Sequence, residues 1–245
     1  MNRAIVTVAT TARYQRGQAR LKESAREFGY CSVVAFDQLP DGCPRHVPFA
    51  FKPWALKAAQ EMGAESVLWC DSSIAVVRDL RPLWERIERH GHWMSNNGFT
   101  NYEWTADSAY PHLLPELPQL EWARKTNRGI SHVVAGCFGL NLRTVNARHF
   151  VKKFYEFANC GAFQGPSCNA NCTLTKHDHR GAPRGFCVPC GPPDVRGHRH
   201  DQTAASVLAW KLKWQLTNAP EVLIYGKPEA ATDPRTLLVA DGSYE

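Results

Sequence analysis

The chain contains no apolar run that approaches the roughly 20 residues needed to cross a bilayer, so no transmembrane segment is expected. Its opening stretch, MNRAIVTVATTARY, holds a short apolar run interrupted by threonines. That is too broken for the h-region of a signal peptide and reads as a strand, which makes a cytoplasmic protein the expectation. There is no block of Lys and Arg. The 29 basic and 23 acidic residues are interleaved, for a net charge of +6, so no nucleic-acid tail is present and nucleic acid is an unlikely partner. The mild positive balance suits an anionic small substrate equally well. Neither GxGxxG nor GxxxxGK[ST] occurs, which excludes a dinucleotide fingerprint and a P-loop. No internal repeat or low-complexity tract is found. The nine cysteines are an odd number, which argues against a complete disulfide framework and toward thiols or metal ligation.

What is present is an ordinary globular composition, 44% apolar and 21% charged over 245 residues, enough for one α/β domain spanning the chain. Residues 3–10 read as a buried strand, 14–28 as a helix stopped at Gly29, and Ser32–Phe36 as a second strand. A helix over 53–62 has Pro53 in its first turn and Gly63 after it, and Ser66–Cys70 is a third strand. Strand, helix, strand, helix, strand is the pattern of a parallel sheet with crossovers. Further on, Asp79 caps a helix over 82–90, a strand covers 92–95, and an aromatic loop runs through 96–118. A helix near 117–125, a strand over 132–142, a helix over 145–157 capped by Thr144, a helix over 200–210 and a strand over 222–225 complete the reading.

One short stretch concentrates the chemistry. In VLWCDSSIAV a nearly apolar strand breaks at Asp71-Ser72-Ser73 and then resumes. A turn is the plain explanation, but ligands of open α/β sheets gather at the carboxyl ends of strands. With no glycine loop to cradle a phosphate, a divalent cation held by a carboxylate is the expected means of neutralising one. Lys52, just before a helix, can meet a diphosphate or be a solvated surface lysine. Asp201 can cap the last helix, face a cleft as a catalytic carboxylate, or do both. The loop carrying Trp93, Phe99, Tyr102, Trp104 and Tyr110 among Asn96, Asn97 and Asn101 suits a carbohydrate acceptor. Rings buried beneath a long loop are the rival reading.

Taken in order, these pieces resemble the GT-A-fold glycosyltransferases. Their Asp-x-Asp motif matches Asp71-Ser72-Ser73 after the helix PWALKAAQEMG. IVTVATTARY looks like the donor-base region, HVVAGCFGLNL like the acceptor-side strand, and RHDQTAASVL like an Asp-Gln helix start. The second Asp of the motif is Ser73 here, a poor metal ligand. The resemblance implies a single GT-A-like domain with a mostly parallel central sheet flanked by helices. It implies transfer of a hexosyl or pentosyl group from a nucleoside diphosphate sugar to a carbohydrate or other hydroxyl acceptor. Thr10, Thr11 and Tyr14 would contact the nucleotide, Asp71 with Ser72 and Ser73 the diphosphate and a Mn²⁺ or Mg²⁺ ion, and Lys52 would assist. Asn96 and Trp104 would meet substrate, and Asp201 would be the catalytic residue.

Residues 159–199 differ from the rest, being rich in Gly, Pro, Cys and His. Cys168, Cys172, Cys187 and Cys190 have nearly the two-knuckle spacing of a structural Zn²⁺ site, with Cys160, His177 and His179 as spare ligands. Free thiols in an insertion are the alternative. Two other functions stay open at this point. A nucleotidyltransferase would use a similar sheet, although TTARYQRG is a poor version of its basic glycine loop. A zinc-dependent nucleic-acid or protein-binding module would rest on Lys176, Arg180, Arg184, Arg196 and Arg199.

Overall fold

The computed structural model describes residues 2–170, 187–218 and 221–242. Its first strand, β1 (Arg3–Val8), is almost wholly buried, as its run of Ala, Ile, Val and Thr requires. The hydroxyl of Thr11 then accepts a bond from the Tyr14 amide and opens α1 (Ala12–Phe28). β2 (Ser32–Phe36), α2 (Phe51–Glu61) and β3 (Ser66–Cys70) follow. β1 lies between β2 and β3 and is parallel to both, so the sequence pattern read as two crossovers is what the chain builds.

After β3 come β4 (Ile74–Val76), α3 (Arg81–His90), β5 (His92–Trp93) and β6 (Ser95–Thr100). Two 3₁₀ turns (Asn101–Trp104 and Asp107–Ala109) lead to α4 (Tyr110–Leu113) and α5 (Leu120–Arg128). β7 (Ser131–Val133), β8 (Cys137–Asn141) and α6 (Val145–Cys160) follow. The chain ends with α7 (His200–Lys211), β9 (Thr217–Asn218), β10 (Leu223–Tyr225) and β11 (Leu238–Ala240). The central sheet has the order β2-β1-β3-β8-β5, and two three-stranded sheets, β10-β11-β4 and β7-β6-β9, flank it.

Three expectations are corrected here. The central sheet is only half parallel, because β8 runs antiparallel to β3 and β5 antiparallel to β8. The cause is local. The Asp71 amide donates to the Gly136 carbonyl at 2.8 Å, so the chain enters β8 at the end where it left β3. The single strand expected over 132–142 is two strands in different sheets, broken over residues 134–136. The aromatic loop is mostly ordered into β6, the two 3₁₀ turns and α4, and Trp93, Tyr102 and Tyr110 are 1–2% exposed core residues.

Alternation along the strands divides the core. Val67 and Trp69 of β3 join the cluster under α2, α6 and α7, while Leu68 and Cys70 join the one under α1 and α3. Each such buried aliphatic side chain contributes about 1.5–3 kcal/mol. Helix α7 is buried on nearly every face. Its small residues Ala204, Ala205, Ser206 and Ala209 let α6 and β7 approach closely, and this sets Asp201 inside the molecule.

Candidate active site

Asp71 is the first residue after β3. Extending the β1–β3 register by two places sets it level with Val8, at the end of the sheet where α1 begins. Its carbonyl accepts from the Ile74 amide at 2.9 Å, closing the Ser72-Ser73 turn. Arg20 of α1 holds that turn from behind, donating to the Ser73 carbonyl at 3.0 Å while pairing with Asp241 at 2.7 Å. Oδ1 of Asp71 accepts from the Trp69 indole at 2.9 Å. On the other side is Gly136, where a Cβ would come within 3.3 Å of Oδ2. Glycine there keeps that oxygen accessible.

The structure places Lys52 and Asp201 beside Asp71. The Lys52 ammonium is 3.1 Å from Asp71 Oδ1, 2.8 Å from Asp201 Oδ2 and 2.8 Å from the Ala135 carbonyl. The rings of Phe49 and Trp69 cover it at 5.5 and 5.4 Å. Lys52 is 2% exposed, so it is no surface lysine. Burial by itself favours the neutral amine, but Asp201 and Asp71 together outweigh it and hold the ammonium above its ordinary range. Burial is also the largest influence on Asp201. It exceeds the attraction of Lys52, and Asp71 adds repulsion, so the Asp201 carboxyl lies above the usual carboxylate range. Between Asp201 Oδ2 and the ammonium, 2.8 Å apart, coulombic attraction is larger than the hydrogen bond. The two acids differ in access, with side chains 32% exposed at Asp71 and 6% at Asp201.

Strain lies next to these charges. Phe49 (φ +59°) and His200 (φ +46°) both occupy the left-handed region, at a cost of about 1–3 kcal/mol each for such residues. Their rings stack at 5.6 Å. The His200 ring is pinned by the Phe163 carbonyl at 2.9 Å and the Ser167 hydroxyl at 3.0 Å, so the Cys-rich segment fixes the residue before Asp201. Gln202 is likewise committed, donating to the Val133 carbonyl at 2.6 Å. Phe49, His200, Ala135 and Gly136 escaped the sequence reading. Only HVVAGC, with Ala-Gly inside an apolar run, signals a strand break.

The other expected residues divide. Thr10, Thr11 and Tyr14 are exposed where β1 passes into α1. Ser72 is buried in the turn and Ser73 half-buried. Trp104 is tied to the start of α7, its carbonyl accepting from the Thr203 hydroxyl at 2.6 Å and the Arg199 amide at 3.1 Å. The Arg199 guanidinium lies over its ring at 4.2 Å. Asn96 is turned away into structure, bonding Asn218 of β9 at 3.2 Å and the Gly98 amide at 3.2 Å.

The acidic residues do not fit a divalent ion held between them, because Lys52 occupies that place. Among the described residues no three His, Cys, Asp or Glu side chains converge as a metal site. In the Cys-rich segment, the thiols of Cys168 and Cys187 meet at 2.8 Å. Cys190 is buried, with its amide on Asn169 Oδ1 at 3.1 Å. Cys172, His177, His179, Lys176, Arg180 and Arg184 lie outside the described residues. Arg196 stacks on Phe99 at 4.8 Å and pairs with Glu103 at 3.4 Å. It and Arg199 are therefore engaged with the protein's own rings.

No helix among the described residues is long and apolar enough to cross a membrane. No protein-family model matches the chain, and no curated protein is significantly similar to it. Solved structures do match. A glycosyltransferase involved in glycosylation of the major capsid of PBCV-1 superposes with a TM-score of 0.50 at 12% identity, over 98% of this chain and 92% of that one. The galactosyltransferase LgtC with donor and acceptor sugar analogs (TM-score 0.46, 13% identity, 98% and 87% covered) and mouse xyloside xylosyltransferase 1 (0.46, 10%, 98% and 97%) are also similar. The PBCV-1 match spans nearly the whole of both chains, and the chain thus has a GT-A-type glycosyltransferase fold.

Proposed function

We propose that this protein transfers a sugar from a nucleoside diphosphate sugar to a carbohydrate or other hydroxyl acceptor. One observation carries the reading: an accessible carboxylate, Asp71, stands at the carboxyl end of β3, at the end of the sheet where α1 begins, paired with a buried lysine that also contacts a second, buried carboxylate. The end of the sheet is where α/β folds take their ligands. The first turn of α1 contains no acid and carries Arg13, so its amides and charge suit a diphosphate. Thr10, Thr11 and Tyr14 line the same turn and are assigned to the nucleotide. Asp71 is assigned to the donor. Trp104, bound to the start of α7, is assigned to the acceptor side. Asp201 is buried against Lys52, and we assign it to positioning rather than to proton transfer, because a base needs a path to the acceptor hydroxyl. The fold similarity supports this reaction class.

The test is Asp71→Asn, which keeps shape and removes charge. Turnover with a panel of nucleoside diphosphate hexoses should fall about 100-fold or more, the scale of losing one preorganised electrostatic group. The thermal midpoint should barely move. A folded variant with wild-type turnover refutes the role of Asp71.

A further inference from the structure

Lys52 is a cation in the place where a carboxylate-bound ion would sit. Three oxygens, from Asp71, Asp201 and the Ala135 carbonyl, surround its Nζ at 2.8–3.1 Å. Carboxylate and carbonyl oxygens are the donors that Mg²⁺ and Mn²⁺ choose. The ammonium is covalently tethered and 2% exposed, so it does not exchange with ions in solution. The residue that would add a second accessible carboxylate is Ser73, whose carbonyl is already bonded by Arg20 and by the Asp241 amide at 2.9 Å.

We propose that the Lys52 ammonium is the resident cation of this site: it binds Asp71 and Asp201 together and offsets their charge, so that transfer needs no added divalent metal. The proposal rests on the glycosyl-transfer reading above. The charge of the donor diphosphate then falls to the N-terminus of α1 and to its exposed Arg13 and Arg16, and Lys52 prevents the two acids from repelling it. Lys52 is thus a positioning residue, acting through Asp71.

Replacing the ammonium should expose a metal site. Lys52→Ala leaves the three oxygens around an empty space of ammonium size. Mn²⁺ binding, followed by electron paramagnetic resonance and by the thermal midpoint without nucleotide, should be about tenfold tighter or more than in wild type, one decade being about 1.4 kcal/mol. Adding Asp201→Asn to Lys52→Ala should cancel the gain. Wild-type protein should show no midpoint shift in millimolar Mn²⁺ without donor, and turnover of the hexose panel should survive exhaustive EDTA treatment followed by return of one equivalent of Zn²⁺ and no other divalent ion. Tight Mn²⁺ binding by wild type, no gain in a folded Lys52→Ala, or loss of turnover after that treatment overturns the proposal. Where Lys52→Ala fails to fold even with Mn²⁺ present, the wild-type titration and the EDTA experiment decide. A wild-type protein that neither binds nor turns over any nucleotide sugar refutes the glycosyl-transfer reading instead, while the Mn²⁺ titrations still decide whether Lys52 fills a cation site.

Discussion

Two regions of this molecule bury polar groups, and they do so by opposite means. At the end of β3, two carboxylates and one ammonium are packed together with unequal charge, beside two residues in left-handed backbone. In the Cys-rich segment, among the described residues, Asn169 and His198 are buried, neutral and matched. Asn169 donates to the carbonyls of Val195, Pro192 and Gly191 at 2.8, 3.0 and 3.3 Å and accepts from the amides of Ala170 and Cys190. His198 is wholly buried, its Nε2 3.0 Å from the Ala162 carbonyl and its Nδ1 3.3 Å from the Ala106 amide. Matched neutral groups hold a gly- and pro-rich segment that has little core of its own. Unequal buried charge makes a poor staple, since desolvation offsets much of the attraction. Its retention next to an accessible carboxylate points to chemistry.

The largest expected break in this contrast is Asp201→Ala. It leaves a balanced Lys52–Asp71 pair but removes the nearer partner, at 2.8 Å, from a buried ammonium, and an unsatisfied buried donor costs about 1–3 kcal/mol. Denaturant unfolding should show that loss, and Asp201→Asn should lose less. A cost near zero for Asp201→Ala would mean that water reaches the ammonium and that the charged cluster is not truly buried.

Acidification should sharpen the contrast. Burial first, and then His200, pushes His198 down to about 3 from an ordinary 6.5. Burial first, and then Arg199, pushes His132 to about 3. The unfolded chain therefore binds protons that the folded one refuses. Stability is complete above about pH 6.5 and falls as pH drops toward 3, by about 1.4 kcal/mol per pH unit for each histidine. Asp201 works in the opposite sense, because its raised carboxyl takes a proton more readily folded than unfolded. His198→Gln should make the acid limb of a stability–pH curve shallower by about one histidine's share. An unchanged slope would show that the ring is already solvated.

The smallest effect on the core is expected from Cys187→Ser. We propose that Cys168 and Cys187, whose thiols meet at 2.8 Å, hold zinc with Cys172 and without Cys190, which does not converge with them, and that protein purified without chelators carries about one Zn²⁺ per chain. The serine variant should lose the metal and loosen hydrogen-exchange protection around Cys168 and Asn169, while β1, β2 and β3 keep theirs. A metal content near zero in wild type reduces the pair to two neighbouring thiols.

The parallel half of the sheet was legible because β1, α1, β2, α2 and β3 are local: each is set by periodicity and by its own start and stop residues. Asp71 was legible because one acid ended an apolar strand. The antiparallel half was not. Nothing within HVVAGCFGLNL states that Val133 pairs with β6 and Cys137 with β3, since that depends on where the chain returns. Asn96 reads as a sugar ligand from the sequence, and the structure sets it in β6 with its amide on Asn218 of β9, because an amide's partner is a matter of which strand lies beside it.

By itself, then, the sequence determined the strand–helix order through β3, the position of Asp71 and the absence of helix and strand over the described residues 161–170 and 187–199, all of which follow from spacing along the chain. Only the tertiary structure decided that Lys52 is buried, that Asp201 faces it, and that Phe49 and His200 accept strained backbone to enclose them. These facts join residues 52, 71, 135 and 201. The energy of a charge depends on which distant groups displace water around it, and no local pattern encodes that.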